Sequence, residues 1–400
     1  MAYGRPVPQL QDASIAGVHQ TRQGDLSDRE QLDVWWECAE GACADAGMDI
    51  GDVDGLIGGG PPGVGLRAGG SPAGLADVLG HPVRFHATSS VGAAAQSAGF
   101  NLAAYAVSHG LAKAVLVVNA VAGRGAGYTS SDRNEAVTSM AKLSGPYEYP
   151  SGTTRVSDYA VLAMRHMHEF GTTRAQLAEV AVAQRHGATL QPLSVYGSRG
   201  ELTIEDVLAA RPIAEPLHLF DCCAVNQGGG AVLVTSAGDV RAAGRHAPVV
   251  LLGYGEGFGH IDPNAVESLA EFPATSVAAD TAFGMAGVSR DDVDVAAISD
   301  HFTIAVPMVL EGAGFCGRGE GGPFCEDGAL AVGGRLPTNT AGGFLSFSHA
   351  GSCGLFSLIE LAIQLRGEAG DRQVEGAALG YAHGLGGAMQ MHYGAVLARG

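Results

Sequence analysis

Ala46-Gly-Met-Asp-Ile-Gly-Asp-Val-Asp-Gly-Leu-Ile-Gly58 is answered 240 residues later by Ala286-Gly-Val-Ser-Arg-Asp-Asp-Val-Asp-Val-Ala-Ala-Ile-Ser-Asp300. Ala46, Gly47, Asp52, Val53 and Asp54 recur as Ala286, Gly287, Asp292, Val293 and Asp294 at that constant offset. Each copy reads as a helix end, a turn and the start of a strand. This is an internal duplication, and it predicts two α/β halves packed about a pseudo-two-fold axis.

The flanking segments extend the repeat. In the first half an Ala-rich helix over 93–109 stops at Gly110, and Lys113-Ala-Val-Leu-Val-Val-Asn119 follows as an apolar strand buried on both faces. In the second, an apolar helix over 354–366 stops at Gly367 and a strand over 376–380 follows. The symmetry places helix 93–109 beside helix 354–366. Other expected strands are 14–18, 231–236 and 248–253, and other helices are 29–46 and 276–286. Helix 29–46 carries Leu32, Trp35, Trp36 and Ala39 on one apolar face. Between about 120 and 215, Gly, Ser, Tyr and Pro punctuate two helices, 154–169 and 173–187, which read as an inserted loop domain. The halves divide at about residue 245, as 1–245 and 246–400.

Composition narrows the function. Basic residues number 23 against 41 acidic, a net charge of −18, which disfavours nucleic acid and anionic membrane as partners. No apolar run reaches the length of a membrane span, and the N-terminus carries no signal segment, so a soluble cytoplasmic protein is expected. The seven cysteines are odd in number and lack paired zinc spacing, so no metal site is expected and the thiols are read as reduced.

Chemistry concentrates near the C-terminus. In Leu336-Pro-Thr-Asn-Thr-Ala-Gly-Gly343, the pair Gly342-Gly343 lets backbone pass close to a ligand. In His349-Ala-Gly-Ser-Cys-Gly354, a His and a Cys fall four apart where a helix begins. Ser299-Asp-His-Phe-Thr-Ile304 leaves the duplicated strand, and Gly384-Leu-Gly-Gly-Ala388 follows the last repeated one without the spacing of a dinucleotide fingerprint.

Together with Leu310-Glu-Gly-Ala-Gly-Phe-Cys-Gly-Arg-Gly-Glu-Gly-Gly-Pro-Phe324, these stretches resemble the thiolase superfamily over essentially the whole chain. The resemblance is to its thiolase-like lipid-transfer branch, related to sterol carrier protein thiolases and steroid side-chain aldolases. It implies the thiolase fold: two βαβαβαββ halves in a layered α/β/α/β/α arrangement with a loop domain. It also implies a homodimer, an acyl-CoA thioester as substrate with no tightly bound cofactor, and a small OB-fold/zinc-ribbon partner.

Condensing thiolases carry a nucleophilic Cys at the N-terminus of the first buried helix. Counting back from Gly110, the matching residue is Ala93, which cannot be acylated. Ser89 and Ser90, just upstream, are read as helix caps. The branch's aldolases use tyrosines in Tyr-Asp-x-Phe-Thr and His-Pro-Gly-Met-Tyr-Gly motifs, where this chain has Ser299 and Cys353. His349 matches the family's oxyanion-hole His. Ser299, Asp300 and His301 stand in the turn that carries a site residue in the family, and with His349 and Cys353 they are the catalytic candidates that the resemblance implies. Cys353 is open to three roles: an acid/base in place of the tyrosine, a relocated nucleophile, or a filler of space. The resemblance also makes Ala93, Gly342, Gly343, His383, Gly386 and Gly387 substrate-lining positions. Cys222-Cys223, in Asp221-Cys-Cys-Ala-Val-Asn-Gln-Gly-Gly-Gly230, belongs to a turn before a core strand, and Cys316 and Cys325 are read as structural.

The expected activity is retro-aldol cleavage, or its reverse, of a hydrophobic, steroid-like β-hydroxyacyl-CoA. The alternatives are an acyltransferase or synthase using Cys353 and a noncatalytic acyl-CoA-binding subunit.

Overall fold

The computed structural model describes residues 10–58, 79–89, 94–124, 154–259, 266–351 and 353–400. The strands are β1 (Ala13–Gln20), β2 (Gly55–Gly58), β3 (Phe85–Ala87), β4 (Val115–Val121), β5 (Pro212–Ala214), β6 (Leu217–His218), β7 (Gly228–Ser236), β8 (Val249–Phe258), β9 (Val295–Ile298), β10 (Leu379–Gly386) and β11 (Met391–Arg399). The longer helices are α1 (Gln31–Ala46), α2 (Ala95–Ser108), α3 (Arg155–Phe170), α4 (Arg174–Thr189), α5 (Pro273–Ala286), α6 (Ala305–Ala313) and α7 (Cys353–Arg366).

Nine strands form one mixed sheet in the order β3-β2-β4-β7-β1-β8-β11-β10-β9, and β5 and β6 pair separately. The two halves meet between β1 and β8 through only two residue pairs, Ser14 with Val250 and Ile15 with Val249. Helices α2 and α7 lie between the halves, so Phe100, Leu355 and Ile359 share one core with Ile15, Val115 and Val232 of the first half and Leu251, Val295 and Leu397 of the second. Alternation along β4 explains the layering. Val115 and Val117 face that central core, while Leu116 and Val118 face a second core under α1. In β9, Val295 and Ala297 face the centre, and Ala296 and Ile298 face an outer core with α5 and α6. The arrangement is the expected α/β/α/β/α layering.

The duplication is physical. Asp54 Oδ1 accepts from the backbone N–H groups of Lys113 and Ala114 at 2.8 and 2.9 Å. Asp294 Oδ2 accepts from those of Ala378 and Leu379 at the same distances, 2.8 and 2.9 Å. Each carboxylate staples the backbone at the start of the next repeated strand, and the strands expected from 113 and 376 start at Val115 and Leu379. Close packing repeats as well. A Cβ on Gly17 would lie 2.0 Å from the Ala42 carbonyl oxygen, and one on Gly253 would lie 2.3 Å from that of Ala282, so α1 and α5 press directly on β1 and β8.

The halves differ in one strand. In the first, β2 pairs in parallel with β3, with Leu56 opposite His86. In the second, the equivalent contact is a single parallel bridge between Ala296 and Thr338. Among the described residues the second half therefore has a single bridge where the first has its third strand. Helix α1 also departs from its expected face. Val34, Trp35, Cys38, Ala39, Ala42 and Cys43 are buried, whereas Leu32 is exposed and Trp36 only half-buried, because the stripe follows 34, 35, 38, 39 and 42. Ala94, not Ser89, occupies the cap position of α2, which begins later than expected; Ser90 lies outside the described residues.

A buried ion pair locks α7 to the segment before the Gly pair. Arg372 donates to both oxygens of Glu360 at 3.0 and 3.1 Å, and Glu360 also accepts from Thr340 at 2.7 Å. Replacing Arg372 by Met is expected to lower unfolding stability by about 3–5 kcal/mol, because a buried carboxylate loses its partner. The midpoint of a denaturant titration reads this, and a Glu360→Met/Arg372→Met double variant should recover part of it.

Candidate functional site

The parallel strands β9 and β10 point their carboxyl ends at one place, the usual location of sites in parallel sheets. Beyond β9 the chain runs Ser299-Asp300-His301. Ser299 is fully buried and its hydroxyl donates to the His383 carbonyl at 2.9 Å, tying the two strand ends together. Its oxygen serves the scaffold.

Asp300 is fully buried under the Gly pair. Its Oδ1 accepts from the Phe344 N–H at 2.7 Å and its Oδ2 from that of Leu345 at 3.2 Å. Gly342 and Gly343 take φ of 108° and 56°, and a Cβ on Gly343 would stand 2.2 Å from Asp300 Oδ2. The pair turns the chain over the carboxyl group into a wide helical turn, Gly343–Phe347. Burial outweighs the two N–H donors and pushes the Asp300 carboxyl up to about 7.

An acid whose folded pKa lies above its unfolded 3.8 takes up a proton on folding between those values. The stability it contributes is fully present below pH about 4 and is lost as pH rises through about 7. The stability difference between wild type and Asp300→Asn should therefore fall by roughly 4 kcal/mol over that window and level off above it. Denaturant titrations at a series of pH values measure it, and a flat difference would contradict the burial argument.

His301 and His349 are brought together. Their ring centroids lie 5.0 Å apart and nearly perpendicular, with the Phe344 ring 4.9 Å from His301 and 5.9 Å from His349. Burial, then the neighbouring His349, then Arg155 push the His301 pKa well below its usual value, so the ring is neutral at physiological pH. Its Nδ1 is sealed from solvent and has no hydrogen-bond partner among the described residues. The His349 backbone N–H donates to Asn226 Oδ1 at 2.8 Å. The Asn226 amide donates to Ser348 Oγ at 2.9 Å, and that hydroxyl donates to Gln23 Oε1 at 2.8 Å.

Cys353 is the first residue of α7, where the expected helix begins; its side chain lies outside the described atoms, as does all of Ala93. The helix starts do meet. The side-chain amides of Gln96 and Asn119 both donate to the Gly351 carbonyl, at 3.1 and 2.8 Å, and a Cβ on Gly354 would lie 2.6 Å from Ser97 Oγ. Helix α2 thus runs beside α7, as the symmetry requires.

Gly386 ends β10 and Gly387 follows with φ 71°. The Gly387 carbonyl accepts from the buried Tyr159 hydroxyl of α3 at 3.2 Å, so the loop helix pins this turn. His383 is buried just before it, with Nε2 3.0 Å from His392 Nδ1.

The Asp221–Gly230 turn packs against His301, because the Cys223 N–H donates to the His301 carbonyl at 3.0 Å and Thr303 Oγ1 donates to Asp221 Oδ1 at 2.7 Å. Burial pushes the thiols of Cys222 and Cys316 up to about 12 and that of Cys325 still higher. Such thiols are poor nucleophiles. No disulfide joins the described cysteine side chains, and no group of three or more metal-binding side chains occurs among the described residues. No described helix is long and apolar enough to cross a membrane.

Sequence reasoning passed over Asn226, Tyr159, His392 and Thr275. Asn226 stood inside a quoted motif, but its partner His349 is 123 residues away. Tyr159 lies in the loop domain, 228 residues from the carbonyl it holds. Neither distance leaves a local signal.

Residues 255–399 match the family described as "Thiolase C-terminal domain-like". An acetyl-CoA acetyltransferase of Methanothermobacter thermautotrophicus is 33% identical over 94% of this chain and 97% of its own. A 17-hydroxy-3-oxo-4-pregnene-20-carboxyl-CoA lyase of Mycobacterium tuberculosis is 33% identical over 89% of this chain and 92% of its own. The solved structure of an Ltp2-ChsH2(DUF35) aldolase superposes with a TM-score of 0.85 and 28% identity, covering 98% of this chain and 99% of that one.

Proposed function

Since the chain belongs to the thiolase superfamily, in its thiolase-like lipid-transfer branch, we propose that it cleaves a carbon–carbon bond of a hydrophobic, steroid-like β-hydroxyacyl-CoA by retro-aldol chemistry. The observation that carries this reading is the pair of imidazoles His301 and His349, edge-on at 5.0 Å. His301 follows Asp300, whose carboxyl group fixes the turn that leads to His349, and the family register puts Ala93 where a condensing thiolase has its Cys.

A retro-aldol needs a base for the β-hydroxyl proton and a donor for the enolate that forms as the Cα–Cβ bond breaks. Neutral His301 accepts the hydroxyl proton. The bonding pair moves onto the thioester, where His349 donates a hydrogen bond to the enolate oxygen. The β-carbon leaves as a ketone or aldehyde, and the proton returns at Cα to give a shortened acyl-CoA. Lyase and aldolase relatives support this reading, and so does the absence of a Cys at the usual nucleophile position.

A second reading rests on Cys353, which opens a 14-residue helix, because backbone dipoles at a helix N-terminus favour a thiolate. It makes the protein an acyltransferase. Intact-protein mass and peptide mapping after incubation with acyl-CoA and β-ketoacyl-CoA separate the two. The retro-aldol reading predicts no adduct. An acyl adduct on Cys353 that vanishes in Cys353→Ser selects the transferase. Neither adduct nor turnover selects an acyl-CoA-binding subunit.

The protein is further proposed to work as a homodimer and with a small OB-fold/zinc-ribbon partner; the solved aldolase it resembles pairs Ltp2 with ChsH2(DUF35), which supports a partner protein. The net charge of −18 suits a partner that helps hold the CoA phosphates.

A further inference from the structure

The main chain that carries His349 toward Cys353 is held from outside itself. Residues 348–351 belong to no helix or strand. His349 is fixed at its N–H by Asn226. Two residues on, Gly351 is fixed at its carbonyl, which accepts from Gln96 Nε2 at 3.1 Å and from Asn119 Nδ2 at 2.8 Å. All three anchors come from the first half, Asn226 from 123 residues away and Asn119 and Gln96 from 232 and 255. The second half's turn is thus gripped on both sides of His349 by the first half.

Two different elements aim the donors at Gly351. Strand alternation puts Asn119 on the face of β4 that Val115 and Val117 turn to the central layer, where α2 and α7 lie. Opposite it in the sheet is Gly230, on which a Cβ would lie 3.2 Å from Phe356 of α7. Gln96 precedes Gly99 by about one helical turn, on the face of α2 that packs on β4, since a Cβ on Gly99 would lie 3.4 Å from Val117 Cγ1. Gly351 itself takes φ of 72°, and a Cβ there would stand 3.2 Å from Val121 Cγ2 at the end of β4.

The grip is not built for stability. Gln96 and Asn119 are buried, 6% and 4% exposed. A carbonyl oxygen only accepts, so the Gln96 nitrogen must face Gly351, and its Oε1 is left sealed from solvent with no partner among the described residues. An apolar side chain of the same length would leave no such acceptor unpaired, and Gly351 would keep its bond from Asn119. What the second donor adds is direction: a peptide held by one hydrogen bond can pivot about it, and one held from two elements cannot. We infer that Gln96 and Asn119 are positioning residues, which set the His349 ring opposite His301 by fixing the Gly351 carbonyl. This rests on the retro-aldol reading for what His349 does, whereas the hold on the turn is independent of it.

Gln96→Met separates positioning from structure. It is expected to melt at or above the wild-type temperature and to lower kcat for a β-hydroxyacyl-CoA by about tenfold with KM unchanged, because a small misplacement of a catalytic group costs rate and not binding. A lowered melting temperature with kcat unchanged would make Gln96 structural and overturn the proposal. Asn119→Leu leaves the other donor in place and is expected to show the same split between kcat and KM. Since the two amides share one acceptor, Gln96→Met/Asn119→Leu should lose more than the product of the single losses, and a double loss equal to that product would mean that they do not act on one peptide. Absence of turnover by the wild type would sink the retro-aldol reading alone, because experimental structures of the wild type and the double variant still report the hold. A displaced Gly351 carbonyl with the His301 and His349 rings moved off their 5.0 Å separation supports it, and an unchanged turn rejects it.

Discussion

His349→Ala is expected to lower turnover of a β-hydroxyacyl-CoA by about 100- to 1000-fold while leaving the protein folded. The backbone of this residue is anchored by Asn226 and not by its own side chain, so the turn survives truncation. What is lost is the imidazole facing His301 and Phe344, the donor assigned to the enolate oxygen. The loss should fall on kcat more than KM, because charge builds on that oxygen only as the bond breaks. Asn226→Ala should show a smaller loss in activity together with a measurable loss in stability, since it frees a backbone N–H and shifts the ring. Steady-state kinetics and thermal melting on the same samples distinguish the two. Equal kcat for wild type and His349→Ala would remove this residue from the chemistry.

Gly343→Ala should be more damaging to the molecule as a whole, lowering stability by at least about 3 kcal/mol and abolishing measurable turnover. Its φ of 56° is unfavourable for any residue with a side chain. Its Cβ would stand 2.2 Å from Asp300 Oδ2, an oxygen already accepting from the Leu345 N–H. Neither partner can retreat. The carboxyl group is buried beneath the turn, and moving the turn carries His349 away from His301. A denaturant midpoint measures the first effect and a turnover assay the second. A stable, active Gly343→Ala would mean that Asp300 does not fix the turn.

The duplication was legible because it is written in local signals. Gly47 and Gly287 end their helices with φ of 71° and 70°, and Asp54 and Asp294 each staple the next strand. Residues doing the same job at the same offset declare themselves without an alignment. The candidate site was half legible. Asp300, His301, the Gly pair and His349 sit in motifs whose spacing survives in the chain, and the structure brings them together.

What did not show was everything held from afar. Asn226, Tyr159 and Thr275 act on residues more than 100 positions away, and His392 lies on a buried strand where one more imidazole looks like core. Ser299 was legible as a position but not as a role. Only the register of β10 against β9 shows that its hydroxyl is spent on the His383 carbonyl. The missing third strand of the second half was equally hidden, since Thr338 keeps one bridge to Ala296 and the sequence carries no sign of what was lost around it.

The most direct test of the account is product stoichiometry with a steroid-like β-hydroxyacyl-CoA, the partner protein present and no free CoA added. Retro-aldol cleavage predicts one ketone or aldehyde and one shortened acyl-CoA for each substrate consumed. A β-hydroxyacyl-CoA left untouched, while the corresponding β-ketoacyl-CoA is cleaved only when CoA is supplied and leaves both fragments as thioesters, would contradict it and return the chemistry to a thiolase using Cys353.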